Sequence, residues 1–129
     1  MPEININMRR NKMRKVLTPQ EEELMRYVWQ HGKGFIKDFH KLYPEPVPYT
    51  TVATIMKKLE AKGFVFGRPQ RNTVEYIPLV AQEDFKKASM SDMVSHYFQD
   101  SYKEMVTFFA KEEKLSEADL MEIIKLIKK

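Results

Sequence analysis

The chain has 129 residues, enough for one domain or for one domain with an oligomerisation segment, and its 43% of hydrophobic residues can bury a real core. It contains no cysteine and no apolar run of membrane-span length, which excludes a disulfide framework, a thiolate metal site and a spanning helix. The net charge of +4 is unevenly spread: residues 1–80 carry 14 Lys and Arg against 8 Asp and Glu, whereas residues 81–129 carry 8 against 10. A basic first half attracts nucleic acid by counterion release, and the near-neutral second half points to a different job.

Residues 1–16, MPEININMRRNKMRKV, show neither a clean period nor a cap. They are expected to form a basic flexible arm in which Arg9, Arg10, Lys12, Arg14 and Lys15 add affinity for nucleic acid. No apolar h-region follows these charges, so a cytoplasmic protein without membrane insertion is expected.

Thr18-Pro19-Gln20-Glu21 opens a helix with a threonine N-cap, a proline at N1 and a glutamate at N3 that completes a capping box. Leu24, Met25, Val28 and Trp29 form its buried stripe, and His31-Gly32 ends it. From Phe35, the segment FIKDFHKLYPEP predicts a short positioning helix with Ile36, Phe39 and either Leu42 or Tyr43 inward. Pro44, Pro46 and Pro48 then fix a turn before the next helix.

Pro48 to Gly63, PYTTVATIMKKLEAKG, is the stretch around which the chain is organised. Val52, Ile55, Met56 and Leu59 fall at i, i+3, i+4 and i+7 and make one apolar stripe. Thr50, Thr51, Thr54, Lys57 and Lys58 share the polar side, with Tyr49 at its head. Short hydroxyls near a helix start followed by lysines suit base edges first and phosphates next. Gly63 stops the helix because glycine takes the left-handed conformation without penalty. The following FVFGRPQRNTVEYIPL is a β-hairpin, with Arg68 and Arg71 flanking Pro69-Gln70 near its tip, where a wing lies along the backbone or in a minor groove.

After Leu79 three helical stretches follow. Phe85, Met93, Tyr97 and Phe98 mark the first; Tyr102, Met105, Val106, Phe108 and Phe109 mark the second. In the third, Ser116 is the cap, Asp119 stands at N3, Leu115 and Leu120 form a staple, and Leu120, Ile123, Ile124 and Ile127 repeat at helical spacing. Residues 81–129 cannot bury so many apolar side chains alone, so they must pack on the first half, on a partner subunit, or on both. The expected organisation is a basic arm over 1–16, a winged helix-turn-helix over 17–80 and a helical dimerisation region over 81–129, a fold that is mainly α with a small β-hairpin.

Catalytic chemistry has no support. His31, His40 and His96 lie in separate elements without ligand spacing. The glycines are isolated, and Glu21-Glu22-Glu23 and Glu112-Glu113 read as solvated helix faces. Neither an enzyme, a metal site nor a cofactor is expected.

The stretches LTPQEEELMRYVW, YTTVATIMKKLEAKGFV, the terminal EYIP of the hairpin and VTFFAKEEKLSEADLMEIIKLI resemble the penicillinase-repressor family, which includes the methicillin-resistance repressors. The resemblance runs over residues 17 to 128 without a large insertion and is strongest in the recognition helix and wing. It implies an N-terminal head that reads a dyad operator in double-stranded DNA, through Tyr49, Thr50, Thr51, Thr54, Lys57, Lys58, Arg68 and Arg71. It implies a homodimer made by the C-terminal helices, through Met105, Val106, Phe109, Leu120, Ile123, Ile124 and Ile127. It also implies release by cleavage in the C-terminal half, signalled by a membrane sensor-protease. VTFFAKEEKL aligns with the cleaved segment of the relatives, at Phe108-Phe109, with Phe108 where they have asparagine. A copper-responsive branch of the family carries C-terminal cysteine pairs that this chain lacks, so metal sensing is not implied. Two other functions fit a winged helix: a ligand-responsive regulator of the multiple-antibiotic-resistance type, and an adaptor that binds protein rather than DNA. The first places a long dimerising helix ahead of its head, where this chain has a polar arm.

Overall fold

The computed structural model describes residues 17–128, and the arm expected over residues 1–16 lies outside them. The elements are α1 (Pro19–His31), α2 (Ile36–His40), α3 (Tyr49–Ala61), β1 (Val65–Gln70), β2 (Thr73–Pro78), α4 (Gln82–Phe98), α5 (Tyr102–Lys111) and α6 (Glu117–Ile127). This is the expected class, mainly helical with one antiparallel hairpin.

The capping box at the start of α1 is formed in both directions. The Glu21 N–H donates to Thr18 Oγ1 at 3.2 Å, and the Thr18 N–H donates to Glu21 Oε1 at 2.9 Å. Glu21 departs from the solvated face expected of its acidic run, because only 2% of it is exposed. Its carboxylate meets Lys62 Nζ at 2.6 Å, tying the first turn of α1 to the residue that caps α3. Burial raises the pKa of such a carboxyl, but the Lys62 ammonium and the Thr18 N–H outweigh it and hold Glu21 below its ordinary value.

Leu24, Met25 and Val28 of α1, Phe39 of α2, and Val52, Ile55, Met56 and Leu59 of α3 share one core with Phe64, Val65 and Tyr76. Burying each such side chain contributes about 1.5–3 kcal/mol, so the three helices hold one another at fixed angles. Trp29 is half-buried against this core, its ring 5.5 Å from Phe85 and its Nε1–H donating to the Val80 carbonyl at 2.7 Å. Of Leu42 and Tyr43, Tyr43 packs on the core. Burial, with Glu23 beside it, pushes its hydroxyl up to about 12.

Helix α3 ends as its glycine predicts. Gly63 has φ +84°, its N–H donates to the Glu60 carbonyl at 3.1 Å, and the Phe64 N–H reaches the Leu59 carbonyl at 3.0 Å. This paired motif turns the chain straight into β1. The strands pair from Val65↔Pro78 to Gln70↔Thr73, which puts Val65, Tyr76 and Val74 on the core side. The hairpin tip is Arg71-Asn72, with Pro69-Gln70 inside β1 rather than at the turn. A short bridge that has no sequence signature joins Gly34 to Tyr76, each N–H donating to the other's carbonyl, at 3.0 and 2.7 Å. A Cβ at Gly34 would lie 2.7 Å from the His31 ring and 3.0 Å from the Asp38 carboxylate, so a side chain here would force those two aside.

The described residues divide into two compact units, one up to Ser89 and one from Met90 onward. The first reaches beyond the boundary expected at residue 80, because Phe85 and Ala88 on the opening turns of α4 are buried in the core. In the second unit α5 and α6 are well-formed helices. Ser101 Oγ accepts from the Glu104 N–H at the start of α5, and Ser116 and Asp119 make the full capping box of α6 at 2.9 and 3.0 Å. Neither α5 nor α6 buries a single residue. Among the described residues, no helix is long and apolar enough to cross a membrane.

Candidate nucleic-acid interface

Anchoring α3 by Val52, Ile55, Met56 and Leu59 leaves its opposite side outward. Thr50, Thr54 and Lys57, at i, i+4 and i+7, form the exposed centre of that side, flanked by exposed Tyr49 and Lys58. Thr54 Oγ1 donates to the Thr50 carbonyl at 2.9 Å. That commits the hydroxyl proton within the helix and leaves an acceptor oxygen and a methyl group facing out, a pair suited to a base edge with a donor or a thymine methyl. Thr51 stands apart from this ridge. It is half-buried and lines a crevice with Glu23, Tyr43, Pro46 and Ile55, because one step of 100° carries it toward the buried stripe.

The two wing arginines differ. Arg68 pairs across the hairpin with Glu75, its partner in the strand register, so part of its charge is answered within the protein. Arg71 sits at the tip, exposed, with φ +49°. A left-handed backbone is uncommon for a residue with a side chain, and here the two-residue hairpin turn calls for it. Lys62, a third lysine after Lys57 and Lys58, is engaged with Glu21 and serves the head's structure.

The basic charge that marked the first half is concentrated outside the described residues. Residues 17–80 hold 9 Lys and Arg against 7 Asp and Glu, so most of the excess belongs to residues 1–16. Within the head, what favours nucleic acid is therefore placement: Lys57 and Lys58 stand beside exposed threonines on one rigid helix. Among the described residues, no group of three or more His, Cys, Asp or Glu side chains could hold a metal ion.

The residues expected to dimerise lie on the outside of the single chain. Met105 and Leu120 are half-buried, and Val106, Phe109, Ile123, Ile124 and Ile127 are exposed. Phe108 and Phe109, the expected cleavage position, fall within the helical span of α5, with Phe108 stacked edge-on against Phe98 at 5.7 Å.

The penicillinase repressor family profile matches residues 17–129, the whole chain beyond the arm. The chain belongs to the penicillinase repressor family. That family is one of transcriptional repressors rather than enzymes. Among its relatives, the methicillin resistance regulatory protein MecI of Mammaliicoccus sciuri is 23% identical over 79 residues, 61% of this chain and 64% of that protein. The MecI proteins of Staphylococcus aureus and Staphylococcus epidermidis match to the same extent. The chain thus spans a little under two thirds of the length of these relatives. Two solved structures are also similar, each at 16% identity. A MarR family protein from Bacillus stearothermophilus has a TM-score of 0.47, over 97% of this chain and 86% of that one. MepR, a transcription regulator of the Staphylococcus aureus multidrug efflux pump MepA, has a TM-score of 0.43, over 94% and 86%.

Proposed function

We propose that this member of the family is a homodimeric repressor that reads an inverted repeat in double-stranded DNA. The observation that carries this is the outward ridge of Thr50, Thr54 and Lys57 on a helix fixed by four buried side chains. Thr50 and Thr54 read base edges, Lys57 and Lys58 hold phosphates, Tyr49 flanks the first turn, and Arg71 at the wing tip reaches the backbone or a minor groove. Thr51 acts from the edge of the ridge and Arg68 contributes after exchanging Glu75 for a phosphate. The dimer is supported by α5 and α6, which are capped, apolar on one side and fully bury no residue in a single chain. Two heads related by a two-fold axis meet half-sites one helical turn apart, about 34–36 Å, or a multiple of that. Cleavage near Phe108-Phe109, prompted by a membrane sensor-protease, is the induction route proposed with it.

Titration of the protein against its preferred duplex, selected from a random library, and against unselected DNA tests this reading. Affinity should fall steeply with salt. Thr54→Ala should lower the preference for the selected duplex. Lys57→Ala should weaken both duplexes alike and reduce the salt slope by about one. A flat salt dependence would instead favour an adaptor that binds protein.

A further inference from the structure

His40 has no ligand spacing to another histidine, yet it joins the core to the start of α3. Its neighbour Phe39 is fully buried, so the backbone from which the imidazole extends is anchored. Its Nε2 lies 2.6 Å from the Val47 carbonyl. A carbonyl only accepts, so Nε2 carries the proton and donates. The same ring stands edge-on to Tyr49, with centroids 5.9 Å apart and planes at 73°.

The segment it reaches packs on the core through Val47 and is stiffened by its prolines, but it has few hydrogen bonds to set its direction. Pro44, Pro46 and Pro48 have no N–H to offer, and among the described residues no backbone–backbone hydrogen bond joins residues 44–47. Pro48, at the N-cap of α3, gives no side-chain cap either. The direction in which the first turn of α3 presents Tyr49 and Thr50 therefore depends on where this proline segment is held.

We propose that His40 is a positioning residue for sequence recognition, setting the first turn of α3 through Val47 and Tyr49. The proposal rests on α3 being the DNA-reading helix. Losing one net hydrogen bond of this kind lowers the population of the correctly set helix start by about three- to tenfold, and affinity falls with that population. It should fall on the selected duplex, where side-chain placement matters, and not on unselected DNA, where phosphates dominate.

The test measures affinities for both duplexes with the full chain, alongside the thermal midpoint. His40→Ala should bind the selected duplex about three- to tenfold more weakly while binding to unselected DNA changes by less than about twofold. His40→Phe keeps a ring beside Tyr49 without the donor and should show the same loss. His40→Gln, which can donate to Val47, should recover most of the preference. Equal losses on both duplexes together with a lowered thermal midpoint would mark a merely structural role and overturn the proposal. Should His40→Ala fail to fold, equal preference in His40→Phe and His40→Gln overturns it. Wild-type protein with no preference between the duplexes would sink the DNA-reading assignment itself, and the positioning role with it.

Discussion

Replacing Ile124 by aspartate should separate the two protomers without unfolding the heads. In one chain Ile123 and Ile124 are each 42% exposed and Ile127 is 77% exposed; Val106, Phe108 and Phe109 on α5 are 37, 49 and 36% exposed. Together they leave the equivalent of nearly three whole side chains in water. At about 1.5–3 kcal/mol per fully buried side chain, covering them would contribute roughly 4–9 kcal/mol per protomer, and twice that across a two-fold axis. Association itself costs about 4–15 kcal/mol, so the balance is narrow. Ile124→Asp forfeits about 1 kcal/mol of apolar burial per protomer and adds a carboxylate whose desolvation costs several more, again doubled by symmetry. A loss of at least about 4 kcal/mol, roughly a thousandfold in Kd, should follow. Sedimentation velocity at micromolar concentration should find the wild type dimeric and the variant monomeric. Lys125→Asp places the same side chain on the polar face of α6 and should leave the dimer intact. Because the head's core contains none of these residues, its thermal transition should persist in both variants. A dimeric Ile124→Asp protein, or two variants that dissociate alike, would refute the assignment of this stripe.

Two further outcomes are expected from the head. Arg71→Gly should bind DNA more weakly yet have an equal or higher thermal midpoint, because glycine relieves the φ +49° backbone while removing the charge at the wing tip; a fall in stability would show that the arginine side chain supports the hairpin. For Glu21, the folded pKa lies below its ordinary 4.5, so the ionised carboxyl stabilises the fold at pH above that value and the contribution is lost as pH falls through the lowered folded pKa. Thermal scans between neutral pH and about pH 3 should therefore show a steeper acid loss in the wild type than in Glu21→Gln, which should already be less stable at neutral pH; parallel curves would remove the Lys62 pair from the account.

What was legible in the sequence was local. The capping boxes at Thr18 and Ser116, the stripe of α3 and its glycine stop each depend on residues within one or two turns, and each has its expected geometry. What was illegible depends on partners distant in the chain. Glu21 looked like one more acid on a solvated face, and only the arrival of Lys62 from α3 explains its burial. Gly34 carried no signal of pairing with Tyr76, since a two-residue bridge has no periodicity. Arg68 could not be matched to Glu75 until the hairpin register was known, and the register depended on a tip two residues later than the Pro-Gln pair suggested. Thr51 shows the limit of counting faces: at the edge of a stripe, the neighbouring proline segment decides between burial and exposure. Phe85 and Ala88 carry no local sign that they pack with Trp29 and Phe64, because that contact joins the start of α4 to residues far back in the chain.

The proposed switch at Phe108-Phe109 also gains a physical condition from the helix that contains it. The Phe108 carbonyl, the acyl side of the bond to be cut, accepts from the Glu112 N–H at 3.1 Å, and the Phe109 carbonyl accepts from the Lys114 N–H at 3.0 Å. A protease that takes its substrate as an extended strand must first open these bonds. The last turn of α5 is suited to opening, because Glu113, just beyond its cap, has φ +60°, a left-handed conformation that costs a residue with a side chain about 1–2 kcal/mol. Fraying from Glu113 back to Phe108 gives up a strained cap together with the bonds it closes, so the opened form costs less than it would behind a glycine. When opening and reclosing are fast relative to cleavage, the rate of cutting follows the population of that opened form. Packing α5 against a partner would lower this population, since the phenylalanines that must leave the helix are among those the proposed interface would cover. Dimer stability and resistance to cleavage are then set by the same side chains, and a change that loosens the interface should speed cutting even where the scissile residues are untouched.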